Sequence, residues 1–580
     1  MPTWVRRAWA PACLVLLYWA IRYFHLPAFG LYEDDLTHFP TVFGMSWGEV
    51  LRYAADPARI AALREQGHPL HNSFIYLLSA VGWRLSGLSG AYWVGFAVQS
   101  LNIVLFYGLL RRVHRSALAI LGALVYVVYA ADTTQSFLTY ALGLHPSMTL
   151  LLLALHAYLS SWTVLAYVLA ALTLLTYETT YLVFLAAPLL MPERASRTRR
   201  HWLVHLGTSL GILAVFILLR IRTGDDRVLG LQGWEQILRP AVNAIVGPVV
   251  SLGTFGYRPY QAVVSGNVEA LAAAVIVGVA LYLLFTRLPL GMTITVEPLP
   301  RSNASGAPDA GWRSRLRGSW AAVPQDVKGL LRIALAGGLM TVLAYPLMLT
   351  VRPYALNGRD TRVHAAAVVG IAMLLGALLM IVLWLGARSS KRHWVAVPLA
   401  AWMGMMAGYG FVIQNDYVLA WEAQREFWRE LLPLIPDVGE GEAILVDPDA
   451  LEDTQQIGAN YWNLPVVLEQ LFEFPDDWER PPRVFRLSEN WRSSIMRSAD
   501  TASLNEASTY ASPSTYYDLH MKDTILIVER DGRLARMVGP VLLEREKKWV
   551  PQAGMPIEPP YPKALLYSLM LGPAPGSTAN

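Results

Sequence analysis

"LTLLTYETTYLVFLAAPLL", residues 172–190, is the stretch on which the fold turns. It belongs to an apolar run over 163–191 that Tyr177-Glu178-Thr179 interrupts. A spanning helix needs about 20 mostly apolar residues, and an acid inside one is costly. Read as a single span, this run sends every later basic loop to the opposite side of the membrane. Read as two short helices meeting at Glu178 near the outer side, it leaves them all on one side. Arg6 and Arg7 precede the first span, and Arg111, Arg112 and Arg115 follow the second. Arg194, Arg197, Arg199 and Arg200 follow the broken run; Arg287, Arg301, Arg313, Arg315, Arg317 and Lys328 fill a later loop; Arg388, Lys391 and Arg392 fill the last. Their one-sidedness favours the broken hairpin and satisfies the positive-inside rule with the N-terminus in the cytosol.

The remaining spans fall at about 9–27, 92–110, 116–131, 146–160, 203–220, 268–286, 331–350, 364–386 and 394–413, which makes about 11 in all. Composition agrees. The chain of 580 residues is 54% hydrophobic and 16% charged, where a soluble domain carries about 25% charged residues. Mean hydropathy is +0.36. The net charge of +4 matters less than its distribution, and a single cysteine, Cys13, allows no internal disulfide. The fold class expected is mostly α: a polytopic helical bundle in the cell membrane with a C-terminal extracytoplasmic α/β domain. The start, "MPTWVRRAWAPACLVLLYWAIRYF", reads as a retained anchor because no clear small-residue cleavage site follows its apolar core.

Three long segments then lie outside, at about 28–91, 221–267 and from 414 onward, with a shorter outer loop at 351–363. Residues 1–413 form the membrane module. Residues 414–580 regain charge and Pro, and hold no segment long enough to span. There, "DYVLAWEAQREFWRELLPLI" places Val418, Trp421, Trp428, Leu431, Leu432 and Ile435 near one helical face. "EAILVDP" and "RVFRL" read as strands, and "DTILIVERDGRLARMVG" as a hairpin around Asp531-Gly532. The stretch 297–327 reads as a flexible cytosolic loop.

The first outer segment opens with "GLYEDDLTHFP", residues 30–40, which sets Glu33, Asp34 and Asp35 side by side with His38 behind them. Two neighbouring carboxylates raise one another's pKa, and a carboxylate within reach of a hydroxyl can take its proton. The plainer reading is an acidic turn in which Asp34 or Asp35 caps the next helix. After it, "GHPLHNSFIYLLSAVGWRLSGLSGAYWVGFAVQSLNIVLFYGLLRRV", residues 67–113, gives an interfacial helix, a "LSGLSG" break and a span ending in Arg-Arg.

An acidic pair after span one, followed by a Pro-Leu element and an interfacial helix, resembles the membrane-embedded GT-C glycosyltransferases, the group of protein O-mannosyltransferases and lipid A aminoarabinose transferases. Asp34-Asp35 matches the acidic pair, with Glu33 as an extra acid. His68-Pro69-Leu70 stands where Pro-Pro-Leu is common. "LTLLTYETTYLVFLAAPLL" looks like the group's "LTK-E" turn, with Tyr177 in place of the usual Lys. The likeness covers about residues 1–220.

The resemblance implies transfer of a sugar, with inversion, from a polyprenyl-phosphate donor to an acceptor hydroxyl on a glycan, lipid or protein at the extracytoplasmic face. It implies Asp34 as the base, with Asp35 second and Glu33 beside them. The donor phosphate then needs cations. The outer loop "VRPYALNGRDTRVH" supplies Arg352, Arg359, Arg362 and His364 against the positive-inside trend, and guanidinium forks hold phosphate oxygens well. Arg359 and Arg362 are favoured over Arg352; the alternative is that Arg359 pairs with Asp360 and the others meet lipid headgroups. His38, His68, His145, Glu178 and Arg22 are the further cavity candidates. Each has a plainer reading: interfacial histidine, helix start, buried partner of an arginine, or a snorkelling side chain. The 20 Trp and 27 Tyr residues read as interfacial anchors. No His/Cys cluster argues for zinc. The acids carry the oxygen ligands that Mg²⁺ or Mn²⁺ takes, and the expectation is that no metal is required. Nothing in the chain points to nucleic acid. The rival classes are a lipid-linked-glycan transporter or flippase, disfavoured by the lack of an inverted repeat and by acids sited in a loop, and a non-catalytic membrane scaffold.

Overall fold

The protein is described by a computed structural model, which covers residues 3–63, 67–114, 116–191, 199–224, 234–290, 324–348, 353–447, 464–472, 474, 477–486, 501–505, 516–520, 524–543, 546–551 and 564–571. The helices are α1 (Thr3–Tyr23), α2 (Asp35–Gly44), α3 (Trp47–Ala54), α4 (Pro57–Ala61), α5 (Pro69–Val113), α6 (Ser116–Val128), α7 (His145–Leu159), α8 (Thr163–Thr176), α9 (Arg199–Arg222), α10 (Trp234–Val264), α11 (Val268–Arg287), α12 (Gln325–Leu343), α13 (Val368–Arg388), α14 (Arg392–Leu431), α15 (Leu464–Leu471) and α16 (Ala564–Leu571). The strands are β1 (Ala443–Val446), β2 (Arg483–Arg486), β3 (Thr501–Asn505), β4 (Tyr516–His520), β5 (Thr524–Arg530), β6 (Arg533–Leu543) and β7 (Glu546–Pro551).

The run 163–191 is two short pieces. α8 rises about 21 Å, then Tyr177 turns extended, at φ −158° and ψ 104°. A 3₁₀ turn over Glu178–Thr180 and a 3₁₀ helix over Leu182–Leu190 follow. Among the described residues seven helices are long and apolar enough to cross a membrane, and three shorter apolar ones accompany them.

Basic residues gather at one end of the bundle. Arg112, closing α5, donates to His156 O (3.1 Å) and Ser160 Oγ (3.0 Å) at the end of α7. Arg392, opening α14, donates to Phe285 O (2.8 Å) near the end of α11. Gly329 of α12 lies against the His114 ring. At the opposite end Arg22, closing α1, bonds the carbonyl of Tyr129 just past α6, and Arg220, closing α9, faces Glu178 at 3.9 Å.

α10 is a helix that the sequence reading did not draw, since it left 221–267 as an outer segment. Pro240, Pro248 and Pro259 lower its hydropathy, yet Leu238–Val264 is long and apolar enough to span. Asn243 donates to Met348 O (2.8 Å), Ser251 meets His364 Nδ1 (2.9 Å), and Arg258 reaches Asn357 Oδ1 (3.1 Å). These partners lie at the end where Arg22 sits, since Arg258 also bonds Ala130 O beside Tyr129. α9 ends there and α11 begins there, where Glu269 pairs with His25 at 2.8 Å. α10 therefore does not change the side on which α11 starts.

Small residues let helices meet closely, as lipid-embedded packing requires. A Cβ on Gly404 of α14 would lie 2.4 Å from Ala274 O of α11, and one on Gly337 of α12 would lie 2.6 Å from Gly370 O of α13. The expected break in α5 is at Ser86 (φ −161°) and Gly87 (φ 59°). Residues eight apart on a straight helix stand about 12 Å apart, but a Cβ on Gly90 would lie 2.0 Å from Gly82 O. The chain folds back on itself there, and the 69–85 half is a separate helix from the span.

α14 runs 40 residues, about 60 Å, roughly twice the hydrocarbon thickness. Residue 414, where composition changes, is in mid-helix. Beyond it stands a five-stranded sheet of order β2-β1-β5-β6-β7. β1 pairs in parallel with β2 and β5, while β5, β6 and β7 are antiparallel. The β5–β6 hairpin turns at Asp531 (φ 54°) and Gly532 (φ 75°), as the Asp-Gly pair requires. α15 packs against α2, and α16 and β6 against α14, so this unit sits on the acidic loop.

Candidate active site

The acidic stretch is held from below by aromatic rings. Tyr32 is fully buried, donates to Tyr417 O (2.8 Å) and stacks on Phe137 at 5.5 Å. Glu33 follows at φ 49°, left-handed backbone that costs a non-glycine residue energy, and its side chain is buried. That turn sends Asp34 and Asp35 in different directions.

Asp35 is wholly buried. Its Oδ1 accepts Thr139 N (2.8 Å) and Thr139 Oγ1 (2.6 Å); its Oδ2 accepts Tyr32 N (3.2 Å) and Leu138 N (3.3 Å). Burial pushes its pKa up to about 7, with the Thr139, Tyr32 and Leu138 donors pulling the other way. Both oxygens are occupied. Asp35, named from sequence as the second base, ties this turn to 138–139 through these bonds.

Asp34 occupies the N-cap position of α2, but its side chain makes no capping bond. Its carboxylate faces outward, with 21% of the side chain exposed. Oδ2 pairs with Arg359 Nη2 at 2.9 Å, and Arg359 is 16% exposed. Tyr140 Oη donates to the same oxygen at 3.3 Å. The two loops chosen from sequence, one after α1 and one before α13, thus meet through a carboxylate and a guanidinium. Arg359 pairs with Asp34, not Asp360. Arg362, largely buried, lies 3.5 Å from Asp360 Oδ1 and donates to Arg359 O (3.2 Å), with its guanidinium 5.5 Å from the centre of the Tyr140 ring. Arg352 lies outside the described residues.

The arginine loop is fixed by polar pins. Gly358 has φ 71°, which favours glycine. Thr361 Oγ1 takes the Thr133 N–H at 3.0 Å and meets Thr133 Oγ1 at 2.9 Å. His364 Nε2 contacts Ala355 O (3.2 Å), which makes Nε2 the donor, so Nδ1 accepts from Tyr345 Oη (2.9 Å) or Ser251 Oγ (2.9 Å). Fully buried Arg258 of α10 donates to Ala130 O (3.3 Å), Asn357 Oδ1 and the Leu356 carbonyl. Asp132 stands nearby, its Oδ1 accepting Thr134 N (2.8 Å) and Thr134 Oγ1 (2.7 Å).

A second polar group lies where the broken hairpin meets α5 and α9. His68 Nε2 bonds Glu178 Oε2, and Arg220 approaches Oε1. Tyr177 stacks on His68 with ring centres 5.7 Å apart, and Tyr177 and Arg362 lie within electrostatic reach of each other. His38, on α2, is partly buried; burial lowers its pKa while Asp34 opposes the shift. His145 is buried, and neither ring nitrogen finds a partner among the described residues. Arg22 is buried and does not snorkel: its Nη2 bonds the Tyr129 carbonyl, while its Nε has no partner among the described residues. Sequence reasoning missed Tyr140, Arg220 and Arg258. Among the described residues no three His, Cys, Asp or Glu side chains are placed to hold a metal ion together.

No family model and no curated protein matches the chain. Among solved structures, ArnT from Cupriavidus metallidurans bound to undecaprenyl phosphate is similar at 14% identity and a TM-score of 0.35, over 92% of this chain and 98% of that one. The apo form of the same protein gives 15% and 0.30, over 92% and 97%.

Proposed function

We propose that this chain is a membrane glycosyltransferase of GT-C type that moves a sugar from a polyprenyl-phosphate donor to an acceptor hydroxyl at the extracytoplasmic face. The observation that carries the reading is the pairing of Asp34 with Arg359, next to which Arg362 is held by Asp360 and the Arg359 carbonyl, at the end of the bundle away from Arg112 and Arg392. A partly exposed carboxylate with guanidinium groups close by is the pairing that such a transfer needs. The acceptor oxygen attacks the anomeric carbon from the face opposite the phosphate. A new C–O bond forms, the old C–O bond to phosphate breaks, and its electron pair leaves with the phosphate. The hydroxyl proton passes to Asp34. Arg362, with Arg359 beside it, balances the charge on the leaving phosphate, so no general acid is needed. The configuration inverts. Arg112 and Arg392 lie at the other end of the bundle, and the positive-inside rule then supports an outer site. No metal enters this scheme: the Asp34 and Asp35 oxygens are turned to different partners.

The test is release of polyprenyl phosphate from candidate polyprenyl-phosphate sugars by the purified full-length protein in lipid nanodiscs. Asp34→Asn should lower transfer by about 10²–10⁴-fold. Arg362→Ala should raise the donor KM and lower kcat, with partial recovery in Arg362→Lys, which keeps the charge and loses the fork. Normal turnover in Asp34→Asn overturns the assignment, and movement of intact lipid-linked sugar across the membrane without its cleavage would favour a transporter.

A further inference from the structure

Tyr140 touches both the proposed base, Asp34, and the guanidinium of Arg362. It opens a π-helical turn, Tyr140–Leu144, that runs directly into α7. Such turns are rare and widen the helix locally, which shifts the side chains at their start out of the regular α register. Its ring stacks on Phe137 at 5.8 Å, and Phe137 stacks on Tyr32, so three rings run in a ladder from the turn that Asp35 holds to the edge of Arg362. The ladder fixes where the Tyr140 hydroxyl points. At the other end of the π turn, Gly143 lies so close under His71 that a Cβ would fall 2.4 Å from its ring. The turn is therefore held at both ends.

We infer that Tyr140 is a positioning residue that couples the two halves of the site. This rests on the glycosyltransferase reading above. Its hydroxyl and Arg359 both engage Oδ2 of Asp34. With that oxygen held, Oδ1 is the one presented to an incoming acceptor hydroxyl. Its ring face holds the Arg362 guanidinium, which orients that cation toward the donor phosphate and replaces part of the water it loses on burial. The two contacts use different parts of the side chain, so different substitutions separate them.

Tyr140→Phe keeps the ring and removes the hydroxyl. Transfer kcat should fall by about 3–10-fold, the scale of one modest hydrogen bond, while the donor KM and the affinity for undecaprenyl phosphate stay within about twofold. Tyr140→Leu removes the ring as well. Undecaprenyl phosphate binding should then weaken by about 3–30-fold, the scale of a partly desolvated cation–π contact, on top of the loss in kcat. Binding is measured on the full chain in nanodiscs with undecaprenyl phosphate alone, and thermal midpoints are recorded beside it. A side chain that merely filled space would lower the midpoint and the active fraction without this split. Should Tyr140→Leu not fold, Tyr140→Phe decides: a fall in kcat at unchanged lipid affinity supports the coupling, and wild-type kcat overturns it. If the wild type binds the lipid phosphate and transfers sugar while both variants match it, the Tyr140 inference alone fails. If the wild type neither binds nor transfers, the functional reading fails and this inference falls with it.

Discussion

Asp34 and Asp35 are adjacent in sequence, and replacing each by Asn should give opposite phenotypes. In Asp35→Asn the volume is kept, but one accepting oxygen becomes an NH₂ group. Turned toward 139, the amide group can donate to the Thr139 hydroxyl and leaves Thr139 N–H unpaired; turned the other way, it faces two backbone donors, Tyr32 N and Leu138 N. One or two buried donors lose their acceptor, at about 1–3 kcal/mol each, for a total of about 1–6 kcal/mol. In Asp34→Asn the lost contact is a partly exposed ion pair, and screening by water holds its share to about 1 kcal/mol. Thermal unfolding of detergent-solubilised or nanodisc protein reads the difference. Asp35→Asn should lower the midpoint by on the order of 5 °C or more; Asp34→Asn should move it little while abolishing transfer. Specific activity should be calculated per folded molecule, so that Asp35 is not mistaken for the base. If Asp35→Asn is as stable as the wild type and inactive, with Asp34→Asn active, the assignment of the two acids is reversed and the reasoning fails.

Further expectations concern the same loops. Burial raises the Asp35 pKa to about 7 from an ordinary value of about 3.9. The stability linked to its proton is thus complete below about pH 4 and is lost as pH rises through about 7. A proton leaves both oxygens able to accept, unlike amidation, so the wild-type midpoint should fall between pH 4 and 8 with a slope that Asp35→Asn lacks; equal slopes would contradict the burial argument. Gly358→Ala forces a side chain into left-handed backbone at φ 71°, at a cost of about 1–2 kcal/mol, and should raise the donor KM by displacing Arg359 and Arg362; an unchanged KM would show that the loop does not set the donor site. Transfer should survive EDTA, and complete loss restored by Mg²⁺ or Mn²⁺ would bring a metal into the mechanism.

What could be read in the sequence was whatever local chemistry decides. The Asp531-Gly532 hairpin, the break at Ser86-Gly87 and the junction at Tyr177-Glu178 are each fixed by one or two residues. Asp34 and Arg359 were visible because charge in the wrong place is conspicuous. The difference between Asp34 and Asp35 was not. It depends on one left-handed residue, Glu33, and on donors from Leu138 and Thr139 that only the folded chain brings near. Tyr140 was hidden among aromatic residues that a membrane protein places at its interfaces anyway. Arg258 was hidden because the prolines of α10 made its neighbourhood look like a loop, although in the fold it is wholly buried.

The continuity of α14 has a mechanical consequence. Gln414 bonds the end of α1 through Ala20 O (3.0 Å), Tyr417 receives Tyr32, and Gln424 donates to Leu31 O (3.2 Å). Further along the same rod, Glu430 accepts from Leu534 N (3.2 Å) in β6. Bundle, acidic turn and sheet are thus indexed to one another by rotational phase along a single axis. A one-residue insertion near Ile413 would turn everything beyond it by about 100° and swing Gln424 and Trp428 off the acidic turn, while leaving each part intact in itself. A seven-residue insertion would nearly restore the angle but lift the sheet away by about 10 Å. The sheet can tilt only together with α14, so a force applied to it arrives at the turn that carries Asp34.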